Sequence, residues 1–304
     1  MIINRAGTIT HELHALGHIS LPAFFLKTEA PAVIDAGMSL MGERYIQEIR
    51  EMTNGRGPAY LFLTHMHYDH CGSAAMLKNA FPGMQICCSE AGERVLERPR
   101  AIQTIRELNR SAIDHYKALG EDVPGTSDFE PFSVDRVLAD GETVELGADL
   151  SLKAISTPGH TRDSMSFYVP EKKILFTGEA VGIMAANGYI FSEWLSDYND
   201  YFYSMKQLAV LDVDILCLGH ERMLTGGDAA AYIPRAIQYC IYFRKLIEST
   251  LEETGGDVAE AKRRIKEKEY DPLPDATQPD FAYLLNLEAK IRSVQRLEYE
   301  QSRN

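Results

Sequence analysis

No apolar run in this chain approaches the roughly 18 residues that a membrane-spanning helix needs, so no membrane span is expected. The amino terminus, Met1-Ile2-Ile3-Asn4-Arg5, lacks the charged and then apolar segments of a signal peptide. The five cysteines (Cys71, Cys87, Cys88, Cys217, Cys240) are odd in number and show no CxxC spacing. Cys87, Cys88 and Cys217 fall in apolar, strand-like runs, a pattern that fits buried free thiols in a reducing compartment. Basic clusters are scarce too. The compact run Lys262-Arg263-Arg264 is embedded among acids and reads as a solvated helix face. With 31 basic against 44 acidic residues and a net charge of −13, the clustered cations that phosphate backbones require are missing, which excludes long nucleic acids as partners. There is no repeat of solenoid period and no low-complexity tract. These bounds point to a cytoplasmic protein with a small-molecule substrate. At 304 residues and 45% hydrophobic content it can bury a sizeable core in one large domain or two small ones.

What the chain does have is Thr64-His65-Met66-His67-Tyr68-Asp69-His70-Cys71-Gly72. Four potential metal ligands fall within six residues, directly after the strand-like run Tyr60-Leu61-Phe62-Leu63 and before a helical stretch. Such a strand-to-helix turn lies at the carboxyl end of a strand, where open α/β sheets place their sites. Imidazole and carboxylate suit zinc, iron or manganese, and three His plus one Asp exceed the three protein ligands of an ordinary catalytic zinc site. The density suggests two metals.

The rest of the pattern alternates short strands with helices. Leu21 to Leu26 and Ala32 to Asp35 read as neighbouring strands, with His11, His14 and His18 nearby as ordinary polar or turn residues. Ser39 is expected to cap a helix through Glu43, Ile46 and Ile49, and Gln85 to Cys88 to form a strand. Ile102, Ile105, Leu108, Ala112 and Ile113 mark an amphipathic helix over about 100–119 that also carries His115, a structural or exposed position. After a loop at Glu121 to Pro131, a β-rich half resumes with runs at 136–138, 143–146, 150–155, 164–169, 173–176 and 214–218. A helix is expected at about 197–211, and three more near 229–253, 257–269 and 280–300. The expected architecture is an αββα four-layer sandwich over residues 1–227 with a helical extension over 228–304.

Three further polar positions follow strand-like runs, each beside a glycine: His160 in Thr157-Pro158-Gly159-His160, Glu179 in Thr177-Gly178-Glu179, and His220 in Leu218-Gly219-His220. With the HxHxDH turn and this order of later ligands, residues from about 10 to 225 resemble the metallo-β-lactamase superfamily. The resemblance implies the sandwich fold and two divalent ions, zinc, iron or manganese. It assigns His65, His67 and His160 to one metal, Asp69, His70 and His220 to the other, and the acid at 179 to the bridge. Within the superfamily, His-Tyr-Asp-His-Cys-Gly at 67–72, Gly159-His160 followed by Asp163, and Gly219-His220 leading into Leu224-x-Gly226 are similar to the quinolone-signal response thioesterases, which carry a helical tail.

One departure stands out: the family usually has Asp where this chain has Glu179. The extra methylene shifts the carboxylate by about 1.5 Å, whereas metal–oxygen bonds tolerate only a few tenths of an ångström. Glu179 is still expected as a ligand, with a hydrogen-bonding role toward a metal-bound water as the other reading. The implied chemistry is hydrolysis of a small thioester or lactone by a metal-bound hydroxide, with Asp69 orienting the water. An iron-dependent oxidoreductase of the same fold, or a regulatory protein with blunted turnover, are the alternatives. Tyr189, Trp194 and Tyr198 wall the pocket or pack in the core. The tail, with Phe281, Tyr283, Leu284 and Leu285 on its last helix, forms either a lid or a homodimer surface.

Overall fold

A computed structural model describes residues 1–118, 128–273 and 279–301. Two seven-stranded sheets lie face to face. The first runs in the order Gly7–Thr8, Leu13–His18, Leu21–Leu26, Ala32–Ile34, Tyr60–Phe62, Gln85–Ser89 and Arg136–Leu138, its last four strands parallel. The second runs Ile2–Ile3, Met223–Thr225, Ile215–Cys217, Ile174–Phe176, Met165–Val169, Leu150–Ser156 and Thr143–Gly147. The period-2 alternation of side chains sorts each strand between two cores. Phe24, Leu26, Ile34 and Phe62 face the second sheet's Leu152, Phe167 and Phe176 in the central core. Their neighbours Phe25, Val33 and Leu61 face Tyr45, Ile49, Ile102 and Ile105 on the outer helices Gly42–Thr53 and Pro99–Ala118. Leu175 and Leu216 face a third cluster built from helix Tyr198–Leu208 and the tail. Three apolar clusters between four layers make the αββα sandwich.

The tail forms helices Gly227–Glu253, Val258–Glu269 and Asp280–Gln301. They share one apolar cluster with the second sheet, through Tyr232, Phe243, Ile247, Ile265, Leu287 and Ile291. Lys262, Arg263 and Arg264 pair with Glu288, Glu260, Glu267 and Glu253 along exposed faces, as expected of a solvated helix face. All five cysteines are buried and free. Among the described residues no helix is long and apolar enough to cross a membrane.

One local expectation needs correction. Ser39 does not cap the following helix; it opens a short 3-10 turn, and the helix from Gly42 has no side-chain cap. Instead Ser39 is buried, with its hydroxyl accepting from Asn109 Nδ2 at 2.7 Å on helix Pro99–Ala118. A tertiary partner has taken the hydroxyl that capping would have used. Trp194 and Tyr198 are core residues packed edge to face at 5.1 Å, and Tyr189 donates to Glu269 at 2.5 Å. Of the loop expected at Glu121 to Pro131, residues 121–127 lie outside the described residues.

Candidate metal centre

Strands Leu150–Ser156, Ile174–Phe176 and Ile215–Cys217 run in one direction, as do Ala32–Ile34 and Tyr60–Phe62 in the other sheet. The turns after these strands converge on one edge of the sandwich. The Thr64 carbonyl accepts from Met165 N–H at 2.8 Å, and Asp163 Oδ2 from Met66 N–H at 2.8 Å, so the edge is sewn across the two sheets. Glycines permit the close approach. A Cβ at Gly159 (φ +125°) would stand 2.2 Å from the Tyr201 backbone, and one at Gly178 (φ +50°) 2.8 Å from the Thr64 hydroxyl.

Seven side chains meet here in two groups, His65, His67, His160 and Glu179, and Asp69, His70, Glu179 and His220, with the ligand atoms of each group within 4.8 Å of one another. All seven positions expected from the sequence are brought together. His11, His14 and His18 are not among them; His14 Nδ1 meets Thr8 and His18 Nδ1 accepts from Ser20 N–H.

The hydrogen bonds behind the imidazoles fix what they present to the centre. His160 Nδ1 is 2.6 Å from the Glu193 carbonyl and His220 Nδ1 2.7 Å from the Ser20 carbonyl. His70 Nδ1 is 2.8 Å from Asp35 Oδ2. These oxygens only accept, so each Nδ1 carries the proton and each Nε2 of the neutral ring is bare. The Thr64 hydroxyl donates to Asp35 and so accepts from His65 Nδ1 at 3.1 Å, leaving His65 Nε2 buried without a hydrogen-bond partner. In the neutral rings the bare His70 Nε2 and His220 Nε2 face one another at 3.2 Å, and His160 Nε2 lies 3.1 Å from His67 Nδ1. Asp69 Oδ1 is also buried and unpartnered. Nitrogens this close around a carboxylate need a proton or a metal cation between them, and the donor set of imidazole and carboxylate fits divalent zinc, iron or manganese.

The electrostatics agree. Burial by itself would raise the Glu179 carboxyl, but the imidazoles around it, His160 foremost, hold it well below its ordinary value. Burial, reinforced by His70, His67 and His160, keeps the His65 imidazole well below its own. Asp35 overcomes burial at His70 and raises it well above the ordinary histidine value. Asp35 itself has a positive φ of 60° at the end of its strand. Sequence reasoning saw only the strand end there, because the carboxylate's partners, Thr64 and His70, lie 29 and 35 residues away.

A cavity of about 680 Å³ opens beside the centre, reaching His67, Asp69, His160, Glu179 and His220. One wall is helix Pro99–Ala118 with Ala101, Thr104, Leu108 and Ala112; the facing wall is the last helix with Phe281, Leu285 and Ala289. His115, read from sequence as structural or exposed, lies on this cavity with its ring edge-on to Phe281 at 6.3 Å. Arg98 and Arg100 complete the lining, and neither guanidinium has an ion-pair partner among the described residues.

Fold and ligand cluster together define a sandwich protein built around a His-, Asp- and Glu-rich metal centre. The sequence matches the metallo-beta-lactamase superfamily over residues 23–220, and the chain belongs to that family. Relatives include hydroxyacylglutathione hydrolase of Bartonella quintana, 26% identical over 167 residues that cover 55% of this chain and 50% of that protein. Acyl-coenzyme A thioesterase MBLAC2 of Gallus gallus is 29% identical over 193 residues, 59% of this chain and 62% of that protein. The uncharacterized protein YobT of Bacillus subtilis is 27% identical over 203 residues, 63% and 78% respectively. The match thus spans half the length of the first relative and less than two thirds of the second. Among solved structures, ST1585 of Sulfolobus tokodaii superposes with a TM-score of 0.57 at 19% identity, covering 97% of this chain and 98% of that one. A B3 metallo-beta-lactamase described as having an active-site glutamic acid gives 0.56 at 19% identity, covering 78% and 89%. At these identities the superpositions speak to the fold alone.

Proposed function

We propose that the protein is a dinuclear metallohydrolase that cleaves a thioester of an anionic carrier, with His65, His67 and His160 holding one ion, Asp69, His70 and His220 the other, and Glu179 bridging. The observation that carries this reading is the pair of ligand groups sharing Glu179, with imidazole nitrogens turned inward around its carboxylate. Two divalent ions bound there acidify a water and polarise a carbonyl. The chain's own residues supply the rest. Asp69 Oδ1, buried and unpartnered, accepts the proton of the attacking water and aims its oxygen at the carbonyl carbon. The water's oxygen adds to the carbonyl carbon, the C–S bond then breaks to release a thiolate that needs no strong general acid, and the proton held by Asp69 passes to the thiolate or to solvent, giving the free acid and the thiol.

The cavity supports the choice of substrate. Met66, Ile105, Leu108, Phe281 and Leu285 surround an acyl group and exclude water from it. Arg98 and Arg100 offer two unpaired cations to the carrier in a chain whose net charge is −13. The relationship to MBLAC2 and the motif likeness to the quinolone-signal response thioesterases point the same way. The test is metal content by elemental analysis of anaerobically purified protein, followed by a panel of thioesters and lactones on the same sample. Two equivalents of metal with thioester turnover are expected. One equivalent or none, or turnover of lactones alone, overturns the reading.

A further inference from the structure

Behind His160 the chain runs through residues 193–198, irregular as far as 197 and entering helix Tyr198–Leu208 at its last residue, and is bonded on both sides. Toward the metal centre, the Glu193 carbonyl accepts from His160 Nδ1, and the Ser196 N–H and hydroxyl donate to the Gly159 carbonyl, each at 3.0 Å. The Glu193 N–H donates to the Tyr201 hydroxyl at 3.2 Å, which in turn donates to the Glu179 carbonyl at 3.3 Å. Away from the centre, the last helix holds the same segment. Lys290 Nζ pairs with Glu193 Oε1 at 2.9 Å, and Asn286 donates to Glu193 Oε2 at 3.3 Å. Trp194 Nε1 donates to the Lys290 carbonyl, Arg296 to the Ser196 carbonyl, and the Tyr198 N–H to the Ser293 hydroxyl.

Glu193 and Lys290 are each only 1% exposed. A buried ion pair is a poor source of stability, because desolvation offsets the attraction. What it does provide is a fixed geometry, since neither charge can be satisfied elsewhere in an apolar layer of Trp194, Phe243 and Leu287. Its position between a helix and a ligand's hydrogen-bond acceptor makes that geometry relevant to the site.

We propose that helix Asp280–Gln301 positions the His160 ligand through the 193–198 segment, with the Glu193–Lys290 pair as the anchor. Both are positioning residues and neither touches the reacting atoms. The inference rests on the two-metal reading above, and its test separates the two. The variant Glu193→Gln/Lys290→Met removes both charges at similar volume, a change that buried pairs commonly tolerate without unfolding. Chelator competition on the whole 304-residue chain is expected to show one of two zinc equivalents bound about 10- to 100-fold more weakly, with the other within about twofold of the parent. Breaking the surface pair with Lys262→Met, which loosens the same helix elsewhere, is expected to leave both unchanged. Unchanged affinities in the double variant, or equal weakening of both equivalents, overturn the proposal. A second readout does not depend on metal. The His160 Nδ1–H proton, protected by the Glu193 carbonyl, gives a slowly exchanging downfield NMR resonance that the double variant broadens or loses. If the parent binds fewer than two metals, the dinuclear reading fails on its own, and this resonance decides the positioning role: an unchanged line in the variant sinks it.

Discussion

Glu179 places one carboxylate oxygen 3.3 Å from His160 Nε2, 3.4 Å from His70 Nε2, 3.6 Å from His220 Nε2 and 3.8 Å from His65 Nε2. The longer side chain therefore arrives among four imidazoles. Glu179→Asp withdraws the carboxylate by about 1.5 Å, so it is expected to lose one metal equivalent despite restoring the family's usual residue; equilibrium dialysis with zinc measures this. Asp35 acts from further out. Asp35→Ala leaves the Thr64 N–H and the His70 Nδ1–H buried without acceptors, at about 1–3 kcal/mol each. The unfolding free energy of the metal-free protein, measured with denaturant, should fall by about 2–6 kcal/mol, the sum of the two. Protonation provides a third prediction. Burial opposes the charged form of His70, His160 and His220, yet Asp35 at the first and Glu179 at the other two raise all three above the ordinary histidine value. Groups raised on folding stabilise the metal-free protein below about pH 6.5, and this contribution is lost as pH rises through the raised values. Metal must displace the same protons, so its affinity rises over that interval. Melting temperatures with and without zinc are expected to diverge as pH increases, and parallel curves would contradict the assignment.

At the scale of elements, the last helix has two faces with separable roles. Phe281 and Leu285 line the cavity while remaining 47% and 57% exposed, whereas Leu287, Ile291 and Val294 are buried in the core. Phe281→Ala and Leu285→Ala are thus expected to raise KM for long acyl thioesters about tenfold, from roughly 1.5 kcal/mol of lost apolar contact per side chain, with little change in melting temperature. A large loss of stability instead would mean that these side chains pack the fold and do not contact substrate. The ligand turns were legible in the sequence because each couples a local signal to a strand end. His65 to His70 lie together in the chain, and His160, Glu179 and His220 each sit beside a glycine after an apolar run. The tail helices were legible from Gly255-Gly256 and the prolines between them. Asp35, Ser39 and His115 were not, since their partners are far away in sequence and only the folded chain pairs them. Of the cavity's two walls, the last helix with Phe281 and Leu285 was among the expectations as a lid, whereas Pro99–Ala118 was not, since only the folded chain brings it opposite Asp280–Gln301.

Taken as a whole molecule, the protein carries a net charge of −13 and would repel an anionic substrate at long range. The Debye length is about 8–10 Å at ordinary ionic strength, so that repulsion is largely screened, and what a bound carrier meets is the local field of the cavity. There Arg98 and Arg100 have no acidic partner among the described residues. Uncompensated cations beside an apolar cavity attract an amphiphile with a charged carrier and an oily acyl group. On the proposed reading, in which the guanidiniums bind the carrier and do not touch the reacting carbonyl, Arg98→Gln/Arg100→Gln is expected to raise KM about tenfold for thioesters of anionic carriers while leaving neutral thioesters and kcat nearly unchanged. The parent enzyme's KM for the anionic substrates should also climb with salt, and that slope should flatten in the variant as the contacts it reports are removed. Equal losses on charged and neutral substrates would place the arginines in the structure of the cavity wall and remove the case for an anionic carrier.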